Sequence, residues 1–299
     1  MQSFLQSSEL IISYFQSSLP AYLVLVFVFS LCVGSFLNVV IYRLPKMMER
    51  SWQQEYQQYF QPDQAVVESE PFNLAVPRSR CPHCQHQLTA ADNIPLLSYL
   101  SLGGKCRYCR APISRRYPLV ELATALLSVV VAWHTGATSL GLLYLLVTWA
   151  LVALSAIDID TMLLPDQINL PLLWLALLAA AVGISQVNAT SAVIGAACGY
   201  LALWSVFWGF KLLTGKDGMG YGDFKLLALF GALLGWQQLP LIILLSSLVG
   251  AVVGSLLLTL QGRSKSSAIP FGPYIAAAGW IAMLWGEAIT QWYLTQVLS

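Results

Sequence analysis

The sequence predicts an all-α polytopic membrane protein of about eight transmembrane helices carrying a small cytoplasmic module. Three observations carry that prediction. Of the 299 residues, 57% are hydrophobic and only 10% charged, whereas ordinary soluble domains hold roughly 25% charged residues. The apolar residues gather into long runs, as hydrocarbon about 30 Å thick demands of a spanning helix. Two thirds of the basic residues sit together in one segment between the first two runs. With mean hydropathy at +0.67, a disordered chain, a coiled coil and a typical soluble enzyme are excluded. A net charge of +1 gives no general basic balance for nucleic acid, which is not expected as a partner.

The runs follow in order. The first covers 21–42. No Lys or Arg precedes it and Arg43 follows it, so it reads as a retained helix and not a cleaved signal peptide. Runs at 119–133, 140–157, 168–184 and 192–213 come next. The stretch 226–260 is apolar for 35 residues, too long for one span, and Trp236-Gln237-Gln238-Leu239-Pro240 divides it. The last run is 271–294.

Orientation follows from the positive-inside rule. Arg43, Lys46, Arg50, Arg78, Arg80, Lys105, Arg107, Arg110, Arg115 and Arg116 fall in 43–117. Lys211, Lys216, Lys225, Arg263 and Lys265 are the other five basic residues. With eight spans and the large loop cytoplasmic, all 15 lie on or beside the cytoplasmic side, and both termini face the opposite side. The expected domains are 1–42 (N-terminal segment and first span), 43–117 (cytoplasmic loop) and 118–299 (seven membrane helices). Within the loop, 47–60 reads as an amphipathic helix at the membrane surface and 61–77 as irregular. No internal repeat is read.

Four of the six cysteines stand as Cys81-Pro82-His83-Cys84 and Cys106-Arg107-Tyr108-Cys109, with 21 residues between the pairs. Two Cys-x-x-Cys knuckles complete a tetrahedron of thiolates around zinc. In a cytoplasmic loop thiols stay reduced, so a structural zinc module over 81–109 is the leading expectation and a redox pair the alternative. Four protein ligands leave no open position for water. His83 and His86 are alternative ligands nearby. Cys32 and Cys198 lie inside apolar runs, where small apolar packing is expected.

Ionisable residues in or beside membrane spans are costly and so are candidates for function. Asp158-Ile159-Asp160 ends the third run, Asp166 follows Pro165, and Gly220-Tyr221-Gly222-Asp223-Phe224-Lys225 opens the sixth. Two carboxylates brought close cannot both ionise easily. Such a pair holds one proton, the ionised member drawing a proton from water and the protonated one polarising a scissile carbonyl. That is aspartic-protease chemistry without a metal. The competing account makes these acids helix caps in interfacial water, most plainly for Asp166 at an N-cap location. Asp158 and Asp160, two apart, point to nearly opposite sides of a helix, so one of them at most faces Asp223. Glu121 and Asn38 either orient a catalytic carboxylate, contact substrate or bond a neighbouring helix. There is no His-Glu-x-x-His and no Gly-x-Ser-x-Gly, which removes two other protease classes. His134 falls on the outward side as an interfacial residue. A proton-relay transporter and a non-enzymatic zinc scaffold are the rival functions.

Together these features resemble the type IV prepilin peptidase family over about 34–285. Gly34-Ser35-Phe36-Leu37-Asn38-Val39-Val40-Ile41-Tyr42-Arg43-Leu44-Pro45 resembles its first signature. Cys81-Pro82-x-Cys84, Asn93-Ile94-Pro95-Leu96-Leu97-Ser98-Tyr99-Leu100 and Gly104-Lys105-Cys106-x-x-Cys109 resemble its cytoplasmic module. Asp158-x-Asp160 with Leu164-Pro165-Asp166, and Gly220-x-Gly222-Asp223-x-Lys225, resemble its catalytic segments. The resemblance implies that Asp158 and Asp223 are the catalytic pair. It implies cleavage of basic leaders from prepilins and type II secretion pseudopilins at the cytoplasmic side of a bacterial inner membrane, with periplasmic termini. It also implies methylation of the new N-terminal residue, usually Phe, by S-adenosylmethionine. No Gly-x-Gly-x-x-Gly fingerprint marks a site for that donor, and none is assigned.

Overall fold

A computed structural model describes residues 18–61, 71–261 and 269–297. Most of the segment before the first run, the middle of the 61–77 stretch, and Arg263 and Lys265 lie outside the described residues. Among the described residues the only regular structure is helical, apart from two isolated antiparallel bridges, Arg80 to Gln87 and Lys105 to Pro112. Contacts divide the chain into two units, one ending at Ala137 and one beginning at Thr138.

The first unit holds α1 (Leu19–Phe60), the short α2 (Leu97–Ser101) and α3 (Arg116–Thr135). The sequence predicts a span over 21–42 and a separate surface helix over 47–60. Instead they are one helix of 42 residues. No glycine or turn cluster separates them, and Pro45, the one breaker inside, costs a single helical bond while keeping a helical φ. α1 and α3 pack along each other, and the residues buried on them include the small and polar Ser30, Gly34 and Asn38 on α1 and Glu121, Thr124 and Ser128 on α3, a composition suited to helix contact in lipid. Gly34 sets the distance: a Cβ there would stand 2.7 Å from the Glu121 Cα.

Where α1 continues past the first span, Arg43 is buried. Its guanidinium donates to the carbonyls of Asn73 (2.9 Å), Leu74 (3.4 Å) and Pro77 (2.6 Å), strapping the 71–77 segment to the helix. Phe72 lies under both Arg43 and Arg50.

The second unit contains α4 (Ser139–Thr161), α5 (Asp166–Ala181), α6 (Ala189–Thr214), α7 (Tyr221–Leu234), a 3₁₀ turn (Trp236–Gln238), α8 (Leu239–Gln261) and α9 (Gly272–Val297). The break expected at 236–240 is present, and Gly235, at φ +83°, makes the corner. α7 is the central helix, buried all round from Phe224 to Leu233 except Lys225, and packs on α5, α6 and α9. α6 and α7 cross glycine on glycine: a Cβ on Gly195 or on Gly231 would collide with the other's backbone carbonyl, and one on Gly199 would stand 2.6 Å from the Leu227 carbonyl oxygen.

Outer faces are apolar. Phe29, Phe36, Trp133, Trp174, Leu212, Leu213 and Leu244 are exposed, as lipid-facing residues are. Among the described residues, five helical segments, in α1, α3, α4, α6 and α8, are long and apolar enough to cross a membrane. α5 and α7, with 16 and 14 residues, reach only about 24 and 21 Å at 1.5 Å per residue. α9 is longer but carries Glu287 and Gln291 among its apolar residues. Among the described residues the structure is thus all-helical and multi-pass, with five helices meeting the measure where the sequence predicts eight spans.

Candidate active site and metal centre

Both acids of the expected pair lie in the second unit and both are buried, Asp158 at 5% exposure and Asp223 at 6%. Asp158 sits in the last turn of α4, which ends when Met162 enters the left-handed region at φ 56°. Asp223 is the third residue of α7, which starts just after Gly220. Each carboxylate is held by a main-chain amide: Gly272 N–H donates to Asp158 Oδ2 at 3.0 Å, and Gly220 N–H to Asp223 Oδ2 at 3.2 Å. The Asp223 Oδ1 atom is buried and bonds no group among the described residues. Leu164 lies against both Gly222, the residue before Asp223, and Gly272, whose amide bonds Asp158, so α4 and α7 bring the two acids to one neighbourhood. Asp160, on the opposite side of α4, is exposed.

The surroundings hold the start of α7 firmly. Phe207, Tyr221 and Phe224 form a three-ring cluster with centroids 5.2–5.7 Å apart, and Tyr200 meets Phe224 edge-on. Asp166 does not act as the helix cap expected of it. Pro165 occupies that position and Asp166 is the first residue of α5. Its carboxylate instead takes both oxygens to Lys225 Nζ, each at 2.7 Å, tying α5 to α7 two residues beyond Asp223.

The four cysteines converge in the first unit. Their sulfurs all lie within 4.8 Å of one another, Cys81 and Cys109 at 3.8 Å, and none is in a disulfide. Tetrahedral Zn–S bonds of about 2.3 Å place sulfurs roughly 3.8 Å apart, so this set fits a metal ion. The two knuckles are copies of one another, a repeat that sequence reading missed. Cys81 N–H bonds His86 O and Gln85 N–H bonds Cys81 O. Likewise Cys106 N–H bonds Ala111 O and Arg110 N–H bonds Cys106 O. Gln85 and Arg110 both take φ near 60°. Only the Cys-x-x-Cys core is shared in sequence, which is why the repeat was hidden.

Protons are unevenly held in this cluster. The Cys84 amide pulls the Cys81 thiol down to about 6. The Ala111 amide favours the Cys109 thiolate, yet burial and the sulfurs of Cys106, Cys84 and Cys81 push that thiol up to about 11. Four thiolates together need a cation between them. His86 stacks on Tyr108 with ring centres 3.5 Å apart, joining the knuckles, and neither His86 nor His83 belongs to the cluster. Arg107 pairs with Asp92 at 2.8 Å. The Thr89 hydroxyl and amide, and then Arg107, hold the Asp92 carboxyl below its ordinary range.

Glu121 and Asn38 serve the first unit. Glu121 accepts the Leu96 N–H at 2.9 Å, and Asn38 donates to the carbonyls of Tyr117 (3.1 Å) and Gly34 (3.3 Å). His134 stands in the last turn of α3. Cys32 and Cys198 are exposed on α1 and α6, so the packing role expected of them does not hold. Gly272, Leu164 and Arg43 were missed as contributors. Gly272-Pro273 opening an apolar run was the available signal for the first, since Pro favours the first turn of a helix.

Two family descriptions match the chain, the bacterial peptidase A24 N-terminal domain over 28–135 and the type IV leader peptidase family over 145–255. Among similar curated proteins, one from Aeromonas hydrophila is 63% identical across 93% of this chain and 95% of its own length. One from Pseudomonas aeruginosa is 55% identical across 95% and 97%, and one from Legionella pneumophila 47% across 89% and 92%. Each is named prepilin leader peptidase/N-methyltransferase. No solved structure matches. On these grounds the chain belongs to the type IV leader peptidase family, with peptidase and methyltransferase activity.

Proposed function

We propose that this chain cleaves the basic leader from type IV prepilins and type II secretion pseudopilins, with Asp158 and Asp223 as the catalytic pair, and then N-methylates the new N-terminal residue. The observation that carries this reading is the pair itself: two buried acids on different helices, each fixed by a backbone amide, with Leu164 packed against the backbone beside both. Acids so placed share one proton. The ionised member takes a proton from water as its oxygen attacks the scissile carbonyl carbon. The protonated member gives its proton to the carbonyl oxygen. Collapse of the tetrahedral diol breaks the C–N bond: the departing amine takes the proton that the first carboxylate had drawn from water, and one diol hydroxyl returns its proton to the second carboxylate as the carboxylic acid forms. Every atom and charge is accounted for without a metal.

In this reading the chain spans a bacterial inner membrane eight times, with 43–117 cytoplasmic, 118–299 as the peptidase part and both termini periplasmic. The distribution of Lys and Arg supports that orientation. α5 and α7 would cross as short helices in a locally thinned bilayer. A prepilin, an apolar helix with a cationic leader, would leave its scissile bond at the aqueous inner edge, where anionic lipid attracts the leader. Zinc would be held by Cys81, Cys84, Cys106 and Cys109 and would staple the knuckles rather than react. S-adenosylmethionine would supply the methyl group; no residue is assigned to it.

The test is cleavage of a prepilin by purified full-length protein, with and without S-adenosylmethionine. Asp158→Asn and Asp223→Asn are each expected to abolish cleavage while the protein stays in the membrane and still methylates a pre-cleaved pilin. Normal cleavage by either variant removes that residue from the mechanism.

A further inference from the structure

We propose that Gly272 is a positioning residue of the peptidase site: its N–H orients the Asp158 carboxylate, and its missing side chain is the space that carboxylate occupies. The inference rests on the two-aspartate reading above.

α9 begins at Gly272, and the Phe271 carbonyl accepts the N–H groups of Tyr274 (3.1 Å) and Ile275 (3.2 Å). The first amides of any helix have no partner inside it. At this end the second residue is Pro273, which has no N–H to offer. That leaves the Gly272 N–H as the donor at the tip, and it is buried against Asp158 Oδ2. A helix start also carries partial positive charge, which suits a carboxylate in its ionised form.

Space is as tightly set as the bond. A Cβ on Gly272 would stand 2.7 Å from Asp158 Oδ2 and 3.0 Å from both methyl carbons of Leu164. Carbon and oxygen in contact normally keep about 3.3 Å apart. An alanine therefore keeps the donor yet drives the acceptor away by half an ångström or more. Leu164 also lies under Gly222, where a Cβ would come within 2.6 Å of the Leu164 Cβ. One leucine thus spaces the backbone that bonds Asp158 from the backbone that precedes Asp223.

The experiment compares cleavage kinetics on a prepilin with methyl transfer to a pre-cleaved pilin, using full-length protein. For Gly272→Ala, kcat for cleavage falls roughly tenfold to a hundredfold, the range for a sub-ångström to 1 Å misplacement. KM and methyl transfer stay within about twofold of the parent, as expected when only transition-state geometry is lost. Adding Leu164→Ala relieves the leucine contact alone and does not restore kcat. Replacing Gly272 by glycolic acid swaps the N–H for an ester oxygen with no added bulk, and kcat falls again. Four results overturn the proposal: unchanged kcat in Gly272→Ala, unchanged kcat in the ester, recovery with Leu164→Ala, or equal loss of cleavage and methyl transfer. If Asp158→Asn is inactive while Gly272→Ala is normal, this inference alone fails. If Asp158→Asn cleaves normally, the two-aspartate reading fails first.

Discussion

Replacing Gly199 by alanine puts the α6–α7 crossing to a test in which the sign decides. In an unobstructed helix interior the change stabilises by about 1 kcal/mol, because glycine is the poorer helix former. Here the new Cβ would sit 2.6 Å from the Leu227 carbonyl oxygen, 2.9 Å from its carbonyl carbon and 3.0 Å from the Ala228 Cα. All three are backbone atoms, so no rotamer change gives way. Relief to an ordinary contact of about 3.3 Å requires α6 and α7 to part by roughly 0.7 Å. Overpacking of that kind costs about 1–3 kcal/mol, which offsets and exceeds the propensity gain. Since α7 carries Asp223 in its first turn, the displacement also reaches the acid pair. The measurements are thermal unfolding of the detergent-solubilised protein and kcat for prepilin cleavage. Expected are a midpoint lower by a few degrees and kcat down by tenfold or more. A variant as stable as the parent or more so, with full turnover, would falsify the claim that backbone contact at this crossing places α7.

Other changes are as specific. Reversing one partner of the Asp166–Lys225 pair, as Lys225→Asp, is expected to lower cleavage several-fold through repulsion across α5 and α7, and adding Asp166→Lys is expected to restore most of it. Failure of the double variant to recover more than either single change would show that the pair does not act as a unit. Arg43→Lys should free the 71–77 segment, since an ammonium cannot match the guanidinium fork on three carbonyls; faster limited proteolysis there checks it. Cys81→Ser should abolish stoichiometric zinc in the purified protein and reduce methyl transfer more than cleavage, and unchanged metal content would defeat the zinc assignment.

Much of the helical plan could be read from the sequence because apolar runs bounded by Gly, Pro and polar residues are strong signals in a lipid-soluble chain. The break at 236–240 and the start of α7 after Gly220 appeared where those signals lay. The first helix was misread because one proline, without neighbouring turn residues, does not end a helix. Asp158 and Asp223 were legible as costly acids at span ends, and burial separated Asp158 from Asp160, which periodicity alone left open. The cysteine cluster followed from spacing. Less visible were the contributors that act through main chain or shape. Gly272 bonds through its amide, Leu164 through its volume, and Gly195, Gly199 and Gly231 through what they lack. Of these, Gly195-x-x-x-Gly199 and Gly231-x-x-x-Gly235 match a pattern with a mechanism, close helix approach in lipid.

The anchors on Asp158 and Asp223 belong to the peptide backbone, so no ordinary codon change short of proline deletes either one. Selection at such a centre bears on keeping neighbouring residues small, not on retaining polar companions for the acids. Inhibitor chemistry inherits the same rule: a compound that competes for the amide of Gly272 meets a donor that resistance mutations can crowd but cannot readily remove.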